Sequence, residues 1–250
     1  MRALFVKQDH NSPDGFVGVA FAELGYDVTE LTVVPRERYR TPNVTVSFPD
    51  PARYDAIVAF GAVWAVYDDA AIGSWIHDEI AFTQAAIAAG VPVLGICFGG
   101  QMLAAAVGGR VERAPAPEIG WTSIETGSPG LVPSGPWFEW HFDRFELPSG
   151  VTALASTPLA NQAFTVGRSL GLQFHPEVTE TVLAAWLEHD GGTQTLASHG
   201  IDPELLLAQT RHLQAWAGQR TRQLVRAFTR DVATRPAVPA GAGTTVASSS

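Results

Sequence analysis

One short stretch of the chain contains the residue types of a thiol-dependent active site. Residues 95–101 read GICFGGQ and include Cys97, the single cysteine among 250 residues. An apolar run precedes Cys97, and glycines stand two residues before it and two and three residues after it. A lone cysteine in apolar surroundings is more often a small buried hydrophobe than a nucleophile. Whether Cys97 is reactive therefore depends on the elements around it.

The elements predicted on either side of Cys97 favour a reactive thiol. An apolar strand is expected to end at Ile96 and a helix to begin near Gly100, which gives the strand-to-helix turn of a nucleophile elbow. Such a turn exposes the nucleophile and requires nearby glycines because the backbone is crowded. The helix N-terminus favours a thiolate, and the backbone N–H of Phe98 could stabilise an oxyanion. A purely structural glycine-rich turn fits the same pattern.

A nucleophile of this kind needs a base and a group that orients the base. In SLGLQFHPEV, residues 169–178, an apolar strand runs into His175, Pro176 ends the strand, and Glu177 lies two positions after the histidine. Residues i and i+2 of an extended segment share a face, so Glu177 can hold one imidazole nitrogen while the other faces the thiol. Taken singly, His175 is also consistent with a strand-end histidine bonded to backbone, and Glu177 with a helix N-terminal carboxylate.

Metal binding is the weaker interpretation of the histidines and acids. The pairs His175-x-Glu177 and His141-x-Asp143 supply four candidate ligands, but no cysteine pair or HExxH spacing accompanies them. We therefore expect neither a metal nor a cofactor.

The first 110 residues alternate between strand and helix patterns. Predicted strands cover 3–6, 27–34, 56–60 and 91–96, and predicted helices cover 14–24, 78–89 and 100–107. This alternation predicts an α/β fold with a three-layer, mostly parallel doubly wound sheet. Shorter strands predicted at 121–125, 137–142, 151–155, 163–166 and 169–174 indicate an antiparallel extension. Two helices follow, at 179–188 with Thr179 as N-cap and at 203–230 with a break near Gly218.

Composition excludes several classes of partner. The net charge of −9 and pI of about 5.2 make nucleic acid an unsuitable ligand. Residues 81–109 carry no charge, but Pro92 and several glycines interrupt them, so a buried helix, strand and helix is predicted rather than a membrane span. The N-terminus starts directly with a strand pattern, and we expect a cytoplasmic protein. We predict one domain over residues 1–230 and a disordered tail over 231–250.

Two separated motifs carry a resemblance to a known family. GICFGGQ together with QFHPE resembles the class I (triad) glutamine amidotransferases, whose motifs are G-x-C-x-G-x-Q and H-P-E. The resemblance places Cys97, His175 and Glu177 on that family's catalytic triad. Residues 140–164, WHFDRFELPSGVTALASTPLANQAF, and residues 118–121, EIGW, resemble the subgroup that includes the glutaminase domain of GMP synthase. The resemblance covers roughly residues 1–230 and implies a flavodoxin-like, class I glutamine amidotransferase-like fold.

The resemblance also implies a reaction and the residues that bind its substrate. The activity would be hydrolysis of L-glutamine to glutamate and ammonia through a γ-glutamyl thioester. Gln101 would hold the substrate glutamine, and the strand carrying Trp140 and His141 would line the pocket. Besides Phe98, the oxyanion donor would come from the loop after Phe60.

That loop departs from the family pattern. Gly61-Ala62-Val63 stands where the family usually has Gly-Gly-Pro. Ala62 retains a backbone N–H, but its Cβ would be strained if φ had to be positive. Gly61 and Ala62 are the candidate donors of this loop.

Three alternatives stay open at this point. A γ-glutamyl hydrolase or thiol peptidase on the same fold would use the same nucleophile, and a catalytically weak regulatory subunit would explain the altered loop. A dienelactone-type α/β-hydrolase is disfavoured because its acid precedes its histidine in the chain, whereas here Glu177 follows His175. No P-loop glycine pattern is present, so the ammonia would be passed to a synthetase subunit on another chain.

Overall fold

The computed structural model describes residues 1–189 and 191–235. The strands are β1 (Arg2–Asp9), β2 (Asp27–Val34), β3 (Ala56–Ala59), β4 (Val93–Ile96), β5 (Arg110–Ser123), β6 (Glu125–Thr126), β7 (Pro136–Glu146), β8 (Ala153–Ser156), β9 (Asn161–Val166) and β10 (Ser169–Leu172). The α-helices are α1 (Gly15–Glu23), α2 (Asp69–Ala88), α3 (Phe98–Ala106), α4 (Glu180–Glu188), α5 (Gly192–Ser198) and α6 (Pro203–Ala227), and a π-helical turn follows at Phe228–Val232.

Eight strands form the central sheet in the order β2-β1-β3-β4-β10-β9-β8-β6. The first five pair in parallel, and β9, β8 and β6 extend the sheet antiparallel. This arrangement confirms the predicted α/β class and its antiparallel extension. β5 and β7 do not join that sheet; they form a separate two-stranded antiparallel ribbon, which the sequence did not distinguish from the extension.

The sheet is covered on both faces, which explains its continuous apolar strands. In β1, Ala3 and Phe5 pack into a core with α1 and α6, while Leu4 and Val6 pack into a second core with α2 and α3. Because side chains alternate along a strand, one apolar run can supply both cores. The predicted three-layer arrangement follows from this alternation.

Several predicted helix boundaries were wrong. Helix α2 begins at Asp69 rather than 78, because the Asp68 side chain accepts the N–H of Ala71 and caps an earlier turn. Helix α5 was not predicted. Helix α6 is continuous through Gly218, where a Cβ would lie 2.9 Å from a ring carbon of Phe16. This glycine allows a close approach to α1 and does not break the helix.

The predicted boundary of the tail can be compared with the end of the described chain. Val232 is fully buried and belongs to the core on the α1 and α6 face, so the chain is still packed just beyond the predicted start at 231. The rest of the predicted tail, residues 236–250, lies outside the described residues. Among the described helices, none is both long and apolar enough to cross a membrane.

Candidate active site

Cys97 lies on the turn between β4 and α3. Its φ of 50° and ψ of −107° make it the single non-glycine residue with positive φ in the described part of the chain. Such a conformation is strained for an L-residue and persists only where its surroundings impose it. The backbone N–H of Cys97 donates to Leu172 O at 2.9 Å, and Cys97 O accepts from Gln101 N at 2.9 Å. The predicted strand-to-helix elbow is therefore present.

The glycines around Cys97 are required by close backbone contacts. A Cβ on Gly99 would lie 2.1 Å from Ala59 O, and a Cβ on Gly100 would lie 2.1 Å from Leu172 O. A Cβ on Gly95 would lie 2.4 Å from Gly99 O. Contacts this short cannot be relieved without moving the neighbouring backbone, so all three positions exclude larger residues.

The Cys97 thiol is not exposed at the protein surface, contrary to the prediction. Only 5% of the residue is accessible, and it belongs to a buried core cluster on one side. On its other side it lines a cavity of about 260 Å³, which His175 and Glu177 also line. The elbow thus presents the sulfur to a recessed, partly open cavity rather than to the outer surface.

The pairing of β4 with β10 brings His175 to this cavity. The two strands are parallel, with Ile96 opposite Leu172, so the residues that follow each strand lie side by side. His175 N donates to Phe138 O at 2.8 Å, which fixes this segment against β7. A Cβ on Gly61 would lie 3.1 Å from His175 Cε1 and 3.7 Å from Cys97 Cβ, so the imidazole and the elbow both lie on the side of Gly61 where a side chain would project.

Glu177 orients the imidazole of His175. The Nδ1···Oε1 distance is 2.7 Å, and both residues are buried. Burial alone would lower the pKa of His175, but the carboxylate of Glu177 and, to a smaller extent, the neighbouring Cys97 side chain outweigh it, so the pKa lies well above its ordinary value. Because Glu177 occupies Nδ1, Nε2 is the nitrogen available to the thiol.

The loop after β3 borders the same cavity, which Gly61, Ala62, Val63 and Phe98 help to line. Ser12 Oγ donates to Gly61 O at 3.1 Å and holds the loop. Ala62 does not have positive φ, so its Cβ causes no backbone strain in this conformation. The loop therefore accommodates Gly61-Ala62-Val63 in place of Gly-Gly-Pro without strain at Ala62.

The residues predicted to bind substrate divide into two groups. Gln101 and Trp140 line the cavity, and Gln101 Nε2 donates to Asp143 O at 3.0 Å. The imidazole of His141, however, is only 1% exposed and is held by buried groups: Nδ1 lies 3.0 Å from Asp143 O, and Nε2 lies 3.2 Å from Glu118 and 3.4 Å from Glu139. The main chain of His141 on β7 thus borders the cavity, whereas its side chain faces Glu118 and Glu139.

Glu118 and Glu139 change the protonation of His141. Burial alone would lower the pKa of His141, but Glu118 and Glu139 raise it to about 10. Burial raises the pKa of Glu139 to about 7 despite its contact with His141. His141 is consequently an imidazolium at neutral pH. No group of three or more His, Cys, Asp or Glu residues among those described could hold a metal ion.

Comparison with known proteins identifies the family to which this arrangement belongs. The family model described as "Glutamine amidotransferase class-I" matches residues 20–190, more than half of the chain. The chain belongs to the class-I glutamine amidotransferases. Two "GMP synthase [glutamine-hydrolyzing]" proteins are similar: that of Aeropyrum pernix is 39% identical over 133 residues, covering 48% of this chain and 25% of the relative. That of Staphylococcus epidermidis is 41% identical over 134 residues, covering 50% of this chain and 24% of the relative. The matches thus cover about a quarter of these relatives.

Solved structures of glutamine amidotransferases share the fold of this amidotransferase. One from Thermotoga maritima superposes with a TM-score of 0.79 at 25% identity and covers 92% of this chain and 98% of that chain. One from Methylobacillus flagellatus has a TM-score of 0.76 at 22% identity and covers 94% and 96%. The predicted family resemblance and fold are confirmed.

The structure of this amidotransferase also brings forward residues that the sequence did not single out. Gln173 is fully buried, and its Nε2 lies 3.8 Å from the Cys97 sulfur. Trp186 lines the cavity, with its ring 5.0 Å from that of His175. Gln173 had a detectable signal, since it precedes His175 by two residues and shares its face of the extended segment. Trp186 lies on α4 and reaches the site only through tertiary packing.

Proposed function

We propose that this protein is a glutaminase that hydrolyses the side-chain amide of L-glutamine through a γ-glutamyl thioester on Cys97. The observation that carries the proposal is the 2.7 Å His175–Glu177 pair beside a strained cysteine elbow in a shared cavity. Cys97, His175 and Glu177 are the proposed catalytic residues. Membership of the family supports glutamine as the substrate, because both family motifs are present. Gln101 ends the motif that contains Cys97, and His175 and Glu177 belong to the H-P-E motif.

The proposed reaction moves one proton through His175 in each of its two half-reactions. Nε2 takes the proton of the Cys97 thiol, and the thiolate attacks the amide carbon of glutamine to form a tetrahedral oxyanion. His175 returns the proton to the amide nitrogen, the C–N bond breaks, and ammonia leaves. Water, deprotonated by His175, then attacks the thioester, and glutamate is released as Cys97 recovers its proton. Glu177 keeps the imidazole in the orientation that both half-reactions require.

The oxyanion and the substrate would be held by groups that border the cavity. We assign the oxyanion to the backbone N–H of Phe98 and the loop donors Gly61 and Ala62. Gln101 and the β7 backbone at Trp140 and His141 would contact the glutamine. Because the imidazole of His141 faces Glu118 and Glu139, His141 would contact the substrate through its main chain.

The ammonia would be delivered to a synthetase partner. This proposal rests on the similar GMP synthases, of whose length the matched regions make up about a quarter. The acceptor is proposed by class alone, as a substrate of ATP-dependent amination. We further propose a cytoplasmic location, as suits metabolic enzymes of this kind, and a single amidotransferase domain over residues 1–230.

Ammonia release from glutamine by the purified protein tests the function. Wild type should release ammonia and glutamate in equal amounts, and Cys97→Ser should abolish this while leaving the circular dichroism spectrum unchanged. A chloroketone analogue of glutamine should label Cys97. Cleavage of γ-glutamyl dipeptides without glutamine hydrolysis would support the γ-glutamyl hydrolase or thiol peptidase alternative. Activity that appears only after a synthetase is added would support the regulatory alternative.

A further inference from the structure

Among the described residues, Gln173 is a buried polar side chain that contacts the Cys97 sulfur without belonging to the proposed triad. It follows β10 directly, is fully buried, and its backbone N–H donates to Gln162 O at 3.0 Å. Its side-chain Nε2 lies 3.8 Å from Cys97 Sγ, a hydrogen-bonding distance for sulfur. The parallel pairing of β4 and β10 makes Gln173 and Cys97 the first residues after neighbouring strands. The contact is therefore built into the sheet.

A neighbouring amide determines which end of the Gln173 side chain faces the sulfur. Gln101 Nε2 lies 3.0 Å from Asp143 O, a backbone carbonyl that can only accept, so this end of Gln101 must be its nitrogen. The same nitrogen lies 3.3 Å from Gln173 Oε1 and donates to it. The oxygen of Gln173 is thereby assigned to Gln101, and its NH₂ group is left to face Cys97.

We propose that Gln173 is a second hydrogen-bond donor to Cys97 Sγ, which sets the direction of the thiol proton and stabilises the thiolate. The proposal rests on the nucleophilic role assigned to Cys97 above. A thiol sulfur that accepts an N–H from Gln173 directs its own S–H elsewhere, and His175 Nε2 is the acceptor on the cavity side. After the proton moves to Nε2, the thiolate keeps two N–H donors, from Gln173 and from the imidazolium.

The arrangement also connects substrate binding with the nucleophile. Gln101, a proposed substrate contact, holds the amide whose other end contacts the sulfur. Because the chain Asp143 O, Gln101, Gln173, Cys97 has one consistent set of donors and acceptors, each member orients the next. A change at Gln173 should therefore alter the reactivity of Cys97 before it alters the fold.

Alkylation of Cys97 by iodoacetamide across a pH series tests the proposal without any glutamine turnover. Since Cys97 is the single cysteine of the chain, incorporated label reports one thiol. Gln173→Met keeps the length of the side chain but removes the donor. We expect its alkylation rate near neutral pH to fall about tenfold and its pH profile to move up by about one pH unit, as loss of a hydrogen bond to a charged group implies.

Two further variants complete the experiment. Gln84→Met removes an exposed glutamine on α2 whose amide donates to Ala106 O, and its alkylation profile should coincide with wild type. Gln173→Glu keeps the acceptor for Gln101 but places a carboxylate near the sulfur, so its profile should shift upward at least as far. If Gln173→Met does not fold, the alkylation profile of Gln173→Glu tests the proposal in its place. A wild-type profile in a folded Gln173 variant would overturn the proposal. Glutaminase activity is scored separately, so its absence with a shifted profile would count only against the proposed function.

Discussion

Glu79 should make the stability of this protein depend on pH in a direction opposite to that of most carboxylates. It lies on α2 and is completely buried, and one of its oxygens accepts from Gln8 Nε2 at 2.8 Å. Its other oxygen has no hydrogen-bond partner among the described residues, and neither does Gln8 Oε1. Burial raises the pKa of Glu79 to about 7, and the Gln8 hydrogen bond only partly opposes this.

The size of the effect follows from the two pKa values. In the unfolded chain the pKa of Glu79 returns to its ordinary value near 4.5. A group with a raised folded-state pKa stabilises the fold fully below the unfolded pKa, and this stability is lost as the pH rises through the folded pKa. At about 1.4 kcal/mol per pKa unit, the total is about 3 kcal/mol, of which about 2 kcal/mol disappears between pH 5.5 and pH 8.

The variant Glu79→Gln should remove this dependence because an amide does not titrate. We expect the free energy of unfolding of Glu79→Gln, relative to wild type, to increase by about 2 kcal/mol between pH 5.5 and pH 8. Urea unfolding followed by tryptophan fluorescence at four pH values measures it. Asp78→Asn, which removes an exposed carboxylate one residue earlier, is the matched control and should show no such trend. A pH-independent difference between Glu79→Gln and wild type would refute the reasoning.

Three further predictions concern the site and the elements that hold it. Glu177→Gln should lower kcat for glutamine about 100-fold or more, because the imidazole loses its charged partner at 2.7 Å; a kcat within twofold of wild type would contradict this. Gly99→Ala should destabilise the fold by about 3 kcal/mol or more, since its Cβ would lie 2.1 Å from Ala59 O. Urea midpoints compared with Gly130→Ala, where no atom lies within 4 Å and φ is not positive, measure the steric part. His141→Gln should cost about 3 kcal/mol near pH 6.5 by leaving buried acids unpaired, and unfolding curves should show the cost shrinking as the pH rises through about 10, where His141 loses its proton. If His141→Gln lowers the free energy of unfolding by the same amount near pH 6.5 and above about pH 10, charge is not the cause.

Local sequence determined the parts of the candidate site that depend on a few adjacent residues. The glycines around Cys97 predicted a crowded turn, and the contacts of Gly99 and Gly100 show which carbonyls crowd it. The i, i+2 spacing of His175 and Glu177 predicted their pairing, which the 2.7 Å distance confirms. Alternation of strand and helix patterns predicted the α/β class, because burial on both faces leaves continuous apolar strands.

Tertiary structure decided everything that depends on which distant segments meet. No local pattern states that β10 pairs with β4, yet this pairing places Gln173 and His175 beside Cys97. The register of β5 with β7 sets Glu118 opposite His141, and that contact turns inward a side chain that the sequence assigned to the pocket. From the sequence, Gly218 indicated a break in the helix. The residue that requires a glycine there is Phe16, which lies on another helix. Residue spacing specifies neighbours along one segment, whereas partners across segments follow from how the whole chain buries its apolar faces.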